Sequence, residues 1–182
     1  MKVIRTGIDG LYVLEPHVFE DNRGYFFESY NKVTFEKAGL FYDFVQDNQS
    51  RSSYGTVRGL HFQRGEHAQA KLVRVLEGAV LDVAVDLRRA SPTYGKHVAV
   101  ELSGENKLMM LIPRGFAHGF SVLSETAVFA YKCDNLYCKE SEGGIRFDDP
   151  TLAIDWRIDM SRALTSDKDK LHPYFAEFET CF

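Results

Sequence analysis

His61 lies in Arg58-Gly-Leu-His-Phe-Gln63, Lys71 opens Lys71-Leu-Val-Arg74, and a second histidine, His118, closes Ile112-Pro-Arg-Gly-Phe-Ala-His118. Tyr131 ends the apolar run Ala127-Val-Phe-Ala-Tyr131. A neutral imidazole accepts a proton near pH 7, and an ammonium is a fixed positive charge with no lone pair. A phenol, with a reference pKa of ~10, keeps a proton to donate. A base, an acid and a cation of this kind suit proton transfer next to a carbonyl. Metal binding is the rival use of two histidines. Zinc and iron sites usually take three protein ligands; Gln63 is a poor one, and Lys71 would repel the ion. No metal is therefore expected. Arg23, Arg58, Lys71 and Lys168 are candidates for an anion pocket. Single basic residues are mostly solvated, but Arg58 and Lys71 stand beside His61 in an apolar strand context. Asp169, in Ser166-Asp-Lys-Asp169, reads on spacing alone as a loop carboxylate.

Strands must position these groups. From Val57 onward apolar and polar residues alternate in short runs: Lys71 to Leu76, Ala79 to Leu87, His97 to Leu102, Lys107 to Ile112, Ala117 to Leu123 and Thr126 to Tyr131. Leu81, Val83, Val85 and Leu87 fall on one face, and Glu77-Gly78 predicts a hairpin. Upstream, Gly10 to Pro16 and Tyr25 to Tyr30 read as strands, and Gln46 to Ser53 as an extended or looped polar segment. Asn31 to Gly39 reads as a short helix with Asn31 as cap and Gly39 as stop. Past Asp148-Asp-Pro150 the period-2 pattern fades, which predicts loops and short helices wrapped outside. The fold class expected is mainly β: one domain over residues 1–182, an antiparallel jelly-roll barrel with short peripheral helices.

The spacing within this series resembles the metal-binding signature of cupin barrels with its ligands exchanged. There a glycine precedes a histidine by six residues, and a second histidine, a glutamate and a further glycine follow. Gly55, His61 and Gly78 fit, while Gln63 and Lys71 hold the places of the second histidine and the glutamate. Pro113, Gly115 and His118 match the second half of the signature.

Composition sets outer limits. The chain has 182 residues and a formal net charge of −4, which gives no electrostatic footprint for nucleic acid. No apolar run approaches the ~20 residues of a membrane helix, and the first residues lack an apolar signal core. A cytoplasmic protein without membrane or nucleic-acid partners is expected. The three cysteines, Cys133, Cys138 and Cys181, then read as reduced thiols.

Several further blocks carry a resemblance to one family: Asp21-x-Arg-Gly-x-Phe26, Gln46-Asp-Asn48, Arg58-Gly-Leu-His-Phe-Gln63, Lys71-Leu-Val-Arg74, Asp82-Val-Ala-Val-Asp-Leu-Arg88 and Ser91-Pro-Thr-Tyr-Gly-Lys96. Ile112 to Phe120, Tyr131-Lys132, Tyr137, Glu142 and Ser166 to Asp169 complete the set. With them the chain resembles the dTDP-4-dehydrorhamnose 3,5-epimerases from about Gly10 to Pro173. The resemblance implies a homodimeric jelly roll that acts on a dTDP-4-keto-6-deoxy sugar without a cofactor. It makes His61 the base, Asp169 its partner, Tyr131 the acid and Lys71 the stabiliser of the enolate. It places Arg23, Phe26, Glu28, Gln46, Asn48, Arg58, Gln63, His118, Tyr137, Glu142 and Lys168 around the substrate, with Arg23 reaching into the neighbouring subunit. An inserted residue before Ser166 leaves Asp167 as the alternative to Asp169. Within the same fold, a single-site epimerase or a 3,4-ketoisomerase is the other reading of these residues.

Overall fold

A computed structural model describes residues 1–182. Thirteen strands and one α-helix follow in chain order. They are β1 (Lys2–Arg5), β2 (Tyr12–Glu15), β3 (Val18–Asp21), β4 (Gly24–Phe27), α1 (Lys32–Lys37), β5 (Gln46–Ser53), β6 (Val57–Gln63), β7 (Lys71–Glu77), β8 (Ala79–Asp86), β9 (His97–Ser103), β10 (Met109–Ile112), β11 (Phe116–Val122), β12 (Thr126–Cys133) and β13 (Glu142–Gly144). Short 3-10 turns occupy the remainder of the C-terminal third.

Two antiparallel sheets face each other. One has the order β1-β2-β10-β7-β12-β5, the other β13-β6-β11-β8-β9, and β3 and β4 form a separate two-stranded ribbon. This is the jelly-roll barrel expected from the alternating runs. Val73, Val75, Met110, Ile112 and Phe129 from the first sheet pack against Val80, Ala84, Leu102, Phe116 and Phe120 from the second. Leu81, Val83, Val85 and Leu87 share the opposite face of β8, as their spacing predicts. There Trp156, Ile145, Phe147 and Leu152 from the C-terminal segment cover them. Leu72, Met109 and Leu111 are likewise covered on the outer face of the first sheet by Phe35 of α1 and by Leu40. Asn31 caps α1 by accepting the Thr34 N–H, and Gly39 takes φ +79° just beyond it.

Several expectations are corrected. Glu77-Gly78 does not close a hairpin: both edges of β7 are taken by β10 and β12, so the chain turns at Gly78 into the other sheet as β8. The strand expected to reach Tyr30 ends at Phe27, because Glu28 turns to the N-terminus of α1 and accepts from Asn31 and Thr34. Gln46 to Ser53, ambiguous for want of apolar residues, is a full strand paired along β12. Short β1, β3 and β13 carried no readable alternation.

Candidate active site

Between the two sheets lies a cavity of about 800 Å³, with β5, β6, β7, β11 and β12 and the segment 163–170 in its walls. A break in strand periodicity aims β6 into it. His61 pairs with His118, but Arg58 pairs with Phe120, so β6 carries one residue more than β11 across this interval. The bulge lets Arg58 and His61 both face the cavity while Leu60 and Phe62 face the apolar layer behind. Gly59 makes the extra residue tolerable. Its φ is +143°, and a Cβ there would fall 2.6 Å from Gly119 Cα.

His61 Nε2 lies 2.6 Å from Asp169 Oδ1. The Asp169 side chain is 5% exposed and that of His61 32%, so the dyad has one buried and one accessible member. Burial by itself would raise the Asp169 carboxyl. Hydrogen bonds from His61, Ser166 and the Gly59 backbone outweigh that cost and hold it below the ordinary carboxylate value. Asp167 is fully exposed and pairs with Lys170, so the geometry selects Asp169 of the two candidates.

Lys71 and Tyr131 reach the same cavity from neighbouring strands, with the Lys71 ammonium 5.9 Å from the centre of the Tyr131 ring. Burial pushes Lys71 down from its ordinary value and Tyr131 up. Cys133, beneath them, is pushed up to about 11 by burial, so its thiol stays protonated. On the facing sheet His118 Nε2 meets Asp82 Oδ1 at 2.8 Å with both side chains buried. Burial lowers the His118 pKa against the opposing pull of Asp82. The His118 ring stacks on Phe129, which stacks on Phe120 at 4.2 Å.

Arg58 Nε donates to Ser52 Oγ at 3.1 Å. At the rim, Glu142 accepts from Tyr137 at 2.8 Å and also from Lys168. Burial would raise Glu142, but those two donors bring it below its ordinary value. Gln46, Asn48, Gln63 and Tyr137 line a side pocket that shares His61, Lys71 and Tyr131 with the main cavity. Gln46 Nε2 donates to Asn48 Oδ1, and Gln46 Oε1 accepts the Tyr137 N–H.

The sequence candidates outside this assembly are three. Arg23 pairs with Asp21 on the β3–β4 ribbon, Phe26 is 69% exposed on the same ribbon, and Glu28 accepts from the Thr34 hydroxyl at the start of α1. None lines the cavity of its own chain. The cupin ligand positions do not form a metal site either. Gln63 Oε1 is occupied by the Cys138 N–H, His118 Nε2 by Asp82 and His61 Nε2 by Asp169, and the glutamate's place carries the Lys71 ammonium.

Sequence reasoning missed Asp82 and His172. Asp82 had a signal: a carboxylate inside the apolar β8 run, on the face opposite Leu81 and Val83. His172 follows Asp169 by three residues across a 3-10 turn, a spacing that returns a side chain to the same side. Its ring centre stands 5.9 Å from that of His61.

Comparison with known proteins gives the family and the fold. A family model described as dTDP-4-dehydrorhamnose 3,5-epimerase matches residues 5–177. The Escherichia coli (strain K12) protein of that name is 54% identical over 171 residues, spanning 93% of this chain and 92% of its own. The crystal structure of the enzyme from Elizabethkingia anophelis NUHP1 is 59% identical with a TM-score of 0.93, covering 97% of each chain. A 3,5-epimerase structure from Legionella pneumophila, in complex with dTDP-4-keto-L-rhamnose, is 49% identical with a TM-score of 0.93. It covers 98% of this chain and 94% of its own.

Proposed function

Since the chain belongs to the dTDP-4-dehydrorhamnose 3,5-epimerase family, we propose that it performs the double inversion with His61 as base, Tyr131 as acid and Lys71 as enolate clamp. The reaction converts dTDP-4-dehydro-6-deoxy-D-glucose to dTDP-4-dehydro-L-rhamnose, a step of dTDP-rhamnose biosynthesis. The observation that carries the assignment is the His61–Asp169 dyad opening onto the cavity that Lys71 and Tyr131 also line.

The ketone at carbon 4 acidifies the hydrogens at carbons 3 and 5, and in a gluco-configured ring both lie on one face. One base therefore serves both positions, and one acid on the opposite face completes both inversions. His61 takes the proton from carbon 3 or carbon 5, and the electron pair moves onto the carbon 4 oxygen. Lys71 sits against that oxygen as it becomes negative; a preorganised donor of this kind is worth ~10²–10³ in rate. Tyr131 returns a proton from the other face, and its raised pKa keeps the phenol protonated for that purpose. Asp169 fixes the tautomer of His61 and stabilises the imidazolium, as in other histidine–carboxylate pairs. The ketone is the electron sink, so the step calls for no organic cofactor.

Arg58 and Lys168 are assigned to the diphosphate, Gln46 and Asn48 to the thymine, and His118, Gln63, Tyr137 and Glu142 to walls and rim. The working unit is a homodimer in which Arg23, Phe26 and Glu28 extend to the partner's cavity. The exposed apolar side chains of the ribbon, Phe19, Tyr25 and Phe26, support that arrangement. The enzyme is assigned to the cytoplasm; no helix is long and apolar enough to cross a membrane.

Turnover of the keto sugar nucleotide in deuterated water tests the reading by NMR. Deuterium should enter carbons 3 and 5, with the L-lyxo product. Label at carbon 3 alone would point to a single-site epimerase, and transfer of the ketone to carbon 3 to a ketoisomerase. Tyr131→Phe should keep the exchange and lose most of the inversion; unchanged epimerisation removes Tyr131 from the acid role.

A further inference from the structure

We propose that His61, Asp169 and His172 form a three-ligand site for a borderline transition ion such as Zn²⁺, and that the ion inhibits the enzyme by occupying its base. This set is distinct from the cupin ligand positions and shares only His61 with them.

The donor geometry comes first. Asp169 Oδ1 lies 2.6 Å from His61 Nε2 and 4.0 Å from His172 Nε2, and the three ligand atoms all fall within 4.8 Å of one another. Around a tetrahedral zinc with bonds near 2.0–2.1 Å, donor atoms stand about 3.3 Å apart. The observed separations lie on either side of that value. Two imidazoles and a carboxylate, with the fourth position left open, form a donor set typical of zinc. Of the trio, His61 and Asp169 also line the cavity of about 800 Å³.

A second observation is independent of these distances. His172 Nε2 is buried and has no hydrogen-bond partner. An orphaned buried polar atom costs about 1–3 kcal/mol, and a ligand that takes its lone pair relieves that cost. The imidazole is seated there by the glycine pair of β13, since a Cβ on Gly144 would strike the His172 ring.

The charges around the trio set the strength of binding. Lys168 is matched by Glu142. The Lys71 ammonium in the same cavity opposes a cation, which points to a reversible inhibitory site rather than a permanent structural one. Inhibition rests on His61 being the base; binding does not.

The whole enzyme, stripped with a chelator and dialysed, is titrated with Co²⁺ alone and followed by its visible absorption. One Co²⁺ per chain should bind and give the bands of a four-coordinate complex. His172→Gln should weaken that binding by at least about tenfold, since even outer-shell changes at metal sites cost 10–100-fold. Zn²⁺ should inhibit turnover of the unmodified enzyme, EDTA should restore it, and His172→Gln should need correspondingly more Zn²⁺ for half-inhibition, each protein being scored against its own metal-free rate. If His172→Gln fails to fold, His172→Phe keeps the ring over Gly144 without a donor atom and should give the same result. Absence of a Co²⁺ spectrum, or binding that neither substitution alters, overturns the site. Co²⁺ binding with undiminished turnover overturns the inhibition alone. Loss of metal-free turnover in the unmodified enzyme counts against the epimerase mechanism and leaves the metal site standing.

Discussion

Lys71 and Tyr131 show how one environment moves two groups in opposite directions. Burial disfavours the charged form of each, so the ammonium is easier to deprotonate and the phenol harder. In the proposed mechanism a rise in pH therefore acts against the Lys71 charge, while burial favours the proton on Tyr131. Lys71 is charged below its folded pKa, which lies under the ordinary 10.5. Turnover should fall on an alkaline limb below that value. In a pH series, Lys71→Met should cut kcat by ~10²–10³ and abolish the limb; a limb that survives the substitution belongs to another group.

At the scale of elements, two local devices hold the strands that carry the site. The bulge at Gly59 turns Arg58 and His61 to one side of β6, against the ordinary alternation. Gly59→Ala meets both a positive φ and backbone atoms of Gly119. It should cost about 1–3 kcal/mol from the conformational strain alone, read as a lowered urea midpoint, and reduce kcat by moving His61. The second device is Asp86 at the end of β8. Its carboxylate accepts from the Arg88 side chain and backbone and from the hydroxyls of Ser91 and Thr93. Burial opposes ionisation, but those donors prevail and lower its pKa from 3.8 to about 2. A depressed carboxyl pKa stabilises the fold above the unfolded value, and that stabilisation is lost as pH falls through the folded one. Asp86→Asn should lose about 2 kcal/mol in urea unfolding at pH 7. The difference from the parent protein should shrink between pH 4 and pH 2; a constant difference across that range would assign the effect to packing instead.

For the whole molecule, the cavity of a single chain lacks three of the expected substrate contacts. Arg23 and Phe26 stand on a ribbon outside both sheets, and Glu28 lies at the start of α1. In the proposed dimer each Arg23 serves the other subunit. Mixing inactive Arg23→Ala with inactive His61→Ala and allowing subunits to exchange should then restore activity, because each mixed dimer contains one intact site. No recovery on mixing, with exchange verified by tag pull-down, would put Arg23 in its own chain's site. Analytical ultracentrifugation should show the dimer directly.

The sequence by itself determined the layers. Alternation in β8, β9, β11 and β12 predicted an antiparallel barrel, and Asn31 and Gly39 marked the ends of α1 within two residues. It also marked His61, Lys71 and His118, because histidine and lysine are unusual in apolar strands, whereas Tyr131 took its place among them from the family resemblance. Only the tertiary structure decided between Asp169 and Asp167, which local spacing leaves equivalent and burial separates. It likewise decided that β7 and β8 part at Gly78, and that Asp82 and His172 belong beside the two histidines. Periodicity reports which face of a strand is buried; it does not report which strands become neighbours. A site assembled from residues more than a hundred positions apart, such as His61 and Asp169, exists only once the sheets have closed.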